Sequence, residues 1–161
     1  MVLPGEGGIV MKLLERLYRL LIYAASSLQS PFLLGVRLYW GWQFAQDGWG
    51  KLHNLDKVTD LFTSLSIPAP AFSASFISGL EFAGGILLSL GLGARLISLL
   101  LTATMLMAYF TADREALLSV ISNPDKFYAA APYTYLFAAV IVLVFGPGEW
   151  SMDALLAKRW K

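Results

Sequence analysis

Cysteine is absent from this chain, and histidine occurs once, at His53. Without a thiol there is no disulfide exchange within the chain and no cysteine-ligated iron–sulfur cluster. One histidine cannot give a bis-histidine haem, and a zinc site would need carboxylates to complete it, so no metal centre is expected. Charge is scarce too. Charged residues make up 14% of the chain, where a soluble domain carries about 25%. That shortage leaves too little polar surface to cover a soluble globule, and the hydrophobic share of 57% agrees. A net charge of +1 gives no footprint for a nucleic-acid partner.

What is present is a set of long apolar runs. About 20 apolar residues are needed to cross the hydrocarbon core. Four windows approach that length: residues 31–49, 71–90, 94–112 and 130–145. Pro31 suits a first helical turn, and Pro68 and Pro70 precede the second window. Gly91 and Gly93 mark a tight turn, Asn123-Pro124-Asp125 interrupts the chain before the fourth window, and Gly146-Pro147-Gly148 ends it. The expected architecture is an all-α membrane protein, a four-transmembrane-helix bundle over residues 31–156. Residues 157–161 form a basic tail. Residues 1–30 read differently: Lys12, Arg16 and Arg19 fall on one side of a helix and Leu13, Leu14, Leu17, Leu20 and Leu21 on the other. This predicts an amphipathic interfacial helix lying on the bilayer.

Orientation follows from the basic residues in the short flanks. Lys12, Arg16, Arg19, Arg95, Lys158, Arg159 and Lys161 fall on one side, and Lys51, Lys57, Arg114 and Lys126 on the other. The excess predicts both termini in the cytoplasm of a prokaryotic cell, the chain being multi-pass in its inner membrane. The connections 50–70 and 113–129 then face outward.

Two ionisable residues lie deep within these windows. Arg37 is roughly 9 Å into the first span and Glu81 roughly 15 Å into the second, at 1.5 Å per residue. A charge near the bilayer centre costs at least about 2.5 kcal/mol, so both should turn inward, and similar depth predicts an Arg37–Glu81 ion pair. Gln43 could join it. Asp47 and His53 lie towards the outer mouth, beside Lys51 and Trp49, and a polar cavity opening outward is expected there. Ser98, Thr102, Met105 and Tyr109 share a face of the third span; Tyr133 and Tyr135 stand at the outer end of the fourth. Structural readings stand beside these: packing for the pair, anchoring at the interface for Trp40, Trp42, Trp49 and the tyrosines.

Arg37 followed by Gly41-x-x-Phe44-x-x-x-Gly48-x-x-Lys51-Leu52 resembles the first-helix signature of DoxX-type membrane proteins. Glu81-x-x-Gly84-Gly85 with Leu90-Gly91 resembles the second-helix signature, and Gly146-Pro147-Gly148-x-x-Ser151-x-Asp153 the motif after the fourth helix. The resemblance runs from Pro31 to Leu156 and implies a four-helix membrane bundle. Members of this group are described as oxidoreductase components, and the related DoxD-type proteins as subunits of a thiosulfate:quinone oxidoreductase. What it implies here is a subunit of a quinone-linked redox complex that carries no redox cofactor of its own and takes a bound quinone. Glu81 and Arg37 are then the catalytic candidates, and Gln43, Asp47, His53 and Tyr109 the quinone-binding ones. The expected partners are the lipid bilayer and either other membrane subunits or further copies of the chain. A non-catalytic accessory or scaffold subunit, and an oligomeric transporter of small solutes or protons, stay open beside it.

Overall fold

The computed structural model describes residues 6–159, with side chains from Met11 onward. The first five residues and the last two of the basic tail lie outside the described residues. Eight helices follow in order: α1 (Glu6–Leu52), α2 (Leu55–Ser64), α3 (Pro70–Leu90), α4 (Ala94–Thr111), α5 (Arg114–Leu118), α6 (Pro124–Ala129), α7 (Pro132–Phe145) and α8 (Met152–Arg159). α1 packs chiefly on α3, and α4 on α7; contacts of α3 with α4 and of α1 with α7 close a four-membered ring. Two of these helices, α3 and α4, are long and apolar enough to cross a membrane, and α7 is a shorter apolar helix of 14 residues.

The side chains are distributed inside out. α3 buries Ala74, Ser78, Glu81, Gly84, Gly85 and Leu88, mostly small or polar, while Phe72 and Phe76 are exposed. α4 likewise exposes Leu96, Leu99, Met107 and Phe110, and α7 exposes Phe137, Val144 and Phe145. A water-soluble bundle would bury the large groups. In lipid there is no hydrophobic force between helices, so small residues line the contacts and large apolar ones face the tails.

The α1–α3 contact is a glycine seam. A Cβ on Gly41 would lie 2.7 Å from the Gly85 carbonyl oxygen, one on Gly48 would lie 2.3 Å from the Phe82 amide, and one on Gly85 would lie 2.5 Å from the Ala45 amide. The backbones are too close for any side chain at these positions. The seam fixes the antiparallel register: residue 48 stands level with 78–82, and residue 41 with 85–89.

Two expectations change. Pro31 lies inside α1 rather than opening it, so the N-terminal segment and the first span form one continuous helix. A proline in mid-helix deletes one backbone hydrogen bond, here the one its nitrogen would make to Ser27, and does not by itself stop the helix. The segments still differ in environment: residues 11–29 are exposed throughout, and burial begins with Leu33 and Arg37. The connections 50–70 and 113–129, expected as loops, contain α2, α5 and α6.

Candidate functional site

Arg37 and Glu81 do not meet. Arg37 is fully buried, and its Nη2 donates to the Trp150 carbonyl at 2.6 Å. Its Nη1 occupies the space beside Gly91, 1.7 Å from where a Cβ there would stand. Gly91 ends α3 with φ of +68°, so this position needs glycine both for its backbone and for the guanidinium. Asp153 completes the knot. Its two carboxylate oxygens accept from the amides of Gly93 and Ala94 at 2.7 and 2.9 Å, and its own amide donates to the Gly91 carbonyl at 3.0 Å. A carboxylate at the start of α4 satisfies orphan amides and complements the helix dipole. The Ser151 hydroxyl bonds the Gly148 carbonyl and receives the Ala154 amide. The motif after α7 therefore ties the α3–α4 turn to α1.

Glu81 pairs with Lys51 instead, Oε2 to Nζ at 2.5 Å. The pairing expected from depth fails because depth was measured from each helix's own end, whereas the seam sets the register. It places Glu81 beside residues 47–51 and Arg37 beside Gly91, ten residues or roughly 15 Å further along α3. Glu81 is 2% exposed while the Lys51 side chain is 39% exposed, so the pair joins the interior to an open edge.

That edge is a cavity of about 520 Å³. Val58, Leu61, Phe62 and Leu65 cover it from α2 and the turn after it, with Met105 and Ala108 of α4 on another wall. A polar cluster of Asp47, Lys51, Glu81 and Tyr135 lies on the α1 side. Tyr135 Oη donates to Asp47 Oδ2, and its ring packs edge-on against Phe44 and Trp40, with centroids 4.8 and 5.2 Å apart. Tyr135 thus carries a hydrogen-bonding group from α7 to α1. Lys57 and Asp113 stand elsewhere on the cavity lining.

Of the six site residues expected from the sequence, the cavity brings together Asp47 and Glu81. Arg37 serves the knot at the other end. Gln43 is half-buried, is not on the cavity lining and makes no hydrogen bond to Glu81. His53 is exposed, with Nδ1 2.9 Å from the Trp49 carbonyl and its ring against that indole. Tyr109 is buried, but its hydroxyl donates to the Phe127 carbonyl at 2.8 Å and its ring stacks on Phe127, so it holds α6. Lys51, expected beside the outer mouth but not among the site residues, and Tyr135, expected only at the outer end of the fourth span, also belong to the cavity. The spacing of Asp47 and Lys51, one turn apart on a helix, was the available signal. The α2 wall also had one, apolar residues at Val58, Leu61, Phe62 and Leu65.

The DoxX family model matches residues 32–114, which span the α1–α3 seam, α2 and α4. An uncharacterized membrane protein of Mycobacterium tuberculosis, Rv3486, is 30% identical over 136 residues, covering 80% of this chain and 83% of its own length. No solved structure matches. With the signatures in α1 and α3 matched by the family model and a membrane protein aligned over most of the chain, this protein belongs to the DoxX family.

Proposed function

We propose that the chain is a quinone-binding subunit of a membrane redox complex, spanning the inner membrane four times, with α1 from Pro31, α3, α4 and α7 as the spans and both termini cytoplasmic. The observation that carries the reading is the cavity: about 520 Å³, within the 300–1,000 Å³ usual for small-molecule sites, mostly apolar with a polar cluster on the α1 side. A quinone has that character, a flat apolar body with two carbonyl oxygens that accept hydrogen bonds. Lys51 Nζ and Tyr135 Oη are the donors in that cluster; Glu81 and Asp47 are the carboxylates beside them.

A bound quinone would supply acceptance of two electrons and two protons. This chain's part is to hold the ring and move the protons. Lys51, which keeps N–H groups beyond its bond to Glu81, would orient one carbonyl; Tyr135, whose single O–H is given to Asp47, would turn to the other when Asp47 takes up a proton, and Glu81 and Asp47 would pass protons from the outer mouth. The electrons must come from a partner, since the chain has no cysteine and one histidine for a redox centre. Arg37 has a positioning role: it holds the α3–α4 turn.

The test is purification in mild detergent followed by quinone extraction and titration with a short-chain quinone. Wild type should copurify or bind quinone. Tyr135→Phe and Glu81→Gln should weaken binding, and Tyr109→Phe, outside the cavity, should not. Equal binding by all four proteins, or none by wild type, overturns the proposal. Failure of wild type together with stable capture of another membrane protein would favour the accessory-subunit reading.

A further inference from the structure

Residues 11–29 of α1 form a helical arm along which every side chain is exposed; only its last turns, at Tyr23, Ser26 and Ser27, face the loop at Glu149 and Trp150. With about 100° of rotation per residue, Lys12, Glu15, Arg16 and Arg19 fall within one sector of roughly 100°. Leu13, Leu14, Leu17, Leu20, Leu21 and Leu28 fill the opposite side, each about half or more exposed. Glu15 is tied to Arg19 by an i,i+4 ion pair at 2.5 Å, so the polar sector keeps a net charge of +2. Apolar leucines on one side and surplus positive charge on the other fit a surface that is oily below and negative above.

The width of the apolar side distinguishes two occupants. A second copy paired as a coiled coil would need a narrow seam of two positions in seven. Here Leu13 and Leu20 broaden it well past such a seam, as in helices that lie in a bilayer interface. The junction with the bundle permits the turn this requires. Pro31 has no amide to donate to Ser27, the Ser27 hydroxyl bonds back to the Tyr23 carbonyl at 2.8 Å, and Ser30 receives the Glu149 amide at 3.2 Å. A proline with a serine back-bonded to the preceding turn is where helices bend, and the Ser30 contact anchors the bundle side of that point.

We infer that residues 11–29 bind the surface of an anionic bilayer, with the leucine side in the acyl boundary and Lys12, Arg16 and Arg19 among the lipid phosphates. The inference is independent of what the cavity holds. Because the chain is cysteine-free, single cysteines at Arg16, Leu17, Leu20 and Leu21 in the full-length protein can carry nitroxide labels. The protein is reconstituted in phosphatidylcholine vesicles with and without phosphatidylglycerol, and accessibility to oxygen and to a water-soluble nickel complex is measured. With phosphatidylglycerol present, labels at Leu17, Leu20 and Leu21 should read as lipid-immersed and the label at Arg16 as aqueous. In the Leu17 and Leu20 backgrounds, Arg16→Glu with Arg19→Glu should lower insertion roughly tenfold, each basic residue near a charged leaflet being worth a several-fold factor. Aqueous readings at all four positions overturn the inference. So do spin–spin couplings that vanish on dilution with unlabelled protein, which would mark a second copy as the occupant. Insertion that ignores both lipid charge and the reversal removes the anionic partner.

Discussion

Replacing Lys51 by Met should destabilise the bundle by about 2–3 kcal/mol. The upper range for breaking a buried ion pair is about 3–5 kcal/mol, because the remaining charge is left unpaired in a poor solvent. Glu81 meets that condition at 2% exposure, but the Lys51 side chain is 39% exposed, so water at the cavity edge screens part of the loss. Glu81→Leu should cost less, because it removes the buried charge and leaves Lys51 at the cavity edge where water reaches it. If the pair is the reason, the double variant Lys51→Met with Glu81→Leu should recover much of the Lys51→Met loss, giving a coupling above about 1 kcal/mol. The control cycle is Arg37→Met with Glu81→Leu. Those side chains stand roughly 15 Å apart along α3, and distant sites add within about 0.5 kcal/mol. Unfolding of the detergent-solubilised protein, followed by circular dichroism across a denaturant series, measures both cycles. Additivity for Lys51 with Glu81, or strong coupling for Arg37 with Glu81, would refute the register argument.

Gly91→Ala should cost several kcal/mol more than Gly93→Ala in thermal unfolding. Both glycines have φ near +60°, but a Cβ at Gly93 meets open space while one at Gly91 collides with Arg37; equal losses would show that backbone strain alone is at work. Asp153→Ala should destabilise by about 1–2 kcal/mol, the upper range for a lost helix cap, since two amides at the start of α4 lose their acceptor, and Asp153→Asn should lose less. Gly85→Leu should prevent assembly of the α1–α3 seam, whereas Gly79→Leu, with nothing within 4 Å of its Cβ position, should fold; size-exclusion profiles in detergent separate the two.

Apolar windows and glycine or proline punctuation located α3, α4 and α7 to within two residues, because length and hydropathy are local properties of the chain. The seam glycines were legible as small residues on one face of α1. Which glycine of α3 each one meets was not, since that depends on the contact between two helices and not on either one. Glu81 could be found from polarity at depth, and Asp47 from its place in the polar stripe towards the outer mouth. Lys51 could not be matched to Glu81 without the register, and Arg37 was the more deeply placed cation. α2 was hidden by its brevity and charge: Asp56, Lys57 and Asp60 make it read as a loop, while Val58, Leu61 and Phe62 close the cavity.

The register also explains how one set of signature residues can serve two separate tasks. Arg37, Gly41, Gly48 and Lys51 lie along one side of α1, yet α3 divides them. Its C-terminal end meets Arg37 through Gly91, and its middle meets Lys51 through Glu81. Between them the glycines leave no room for adjustment, so the knot and the cavity wall are held at a fixed spacing of roughly 21 Å along α1. A substitution at the knot should therefore reach the cavity only by loosening the seam. Arg37→Lys tests this. Lysine keeps the charge but cannot reproduce the planar guanidinium that lies against Gly91 and reaches the Trp150 carbonyl. It should lower the unfolding midpoint while leaving quinone affinity, measured well below that midpoint, close to wild type. A matching loss of affinity at full stability would make Arg37 part of the site itself.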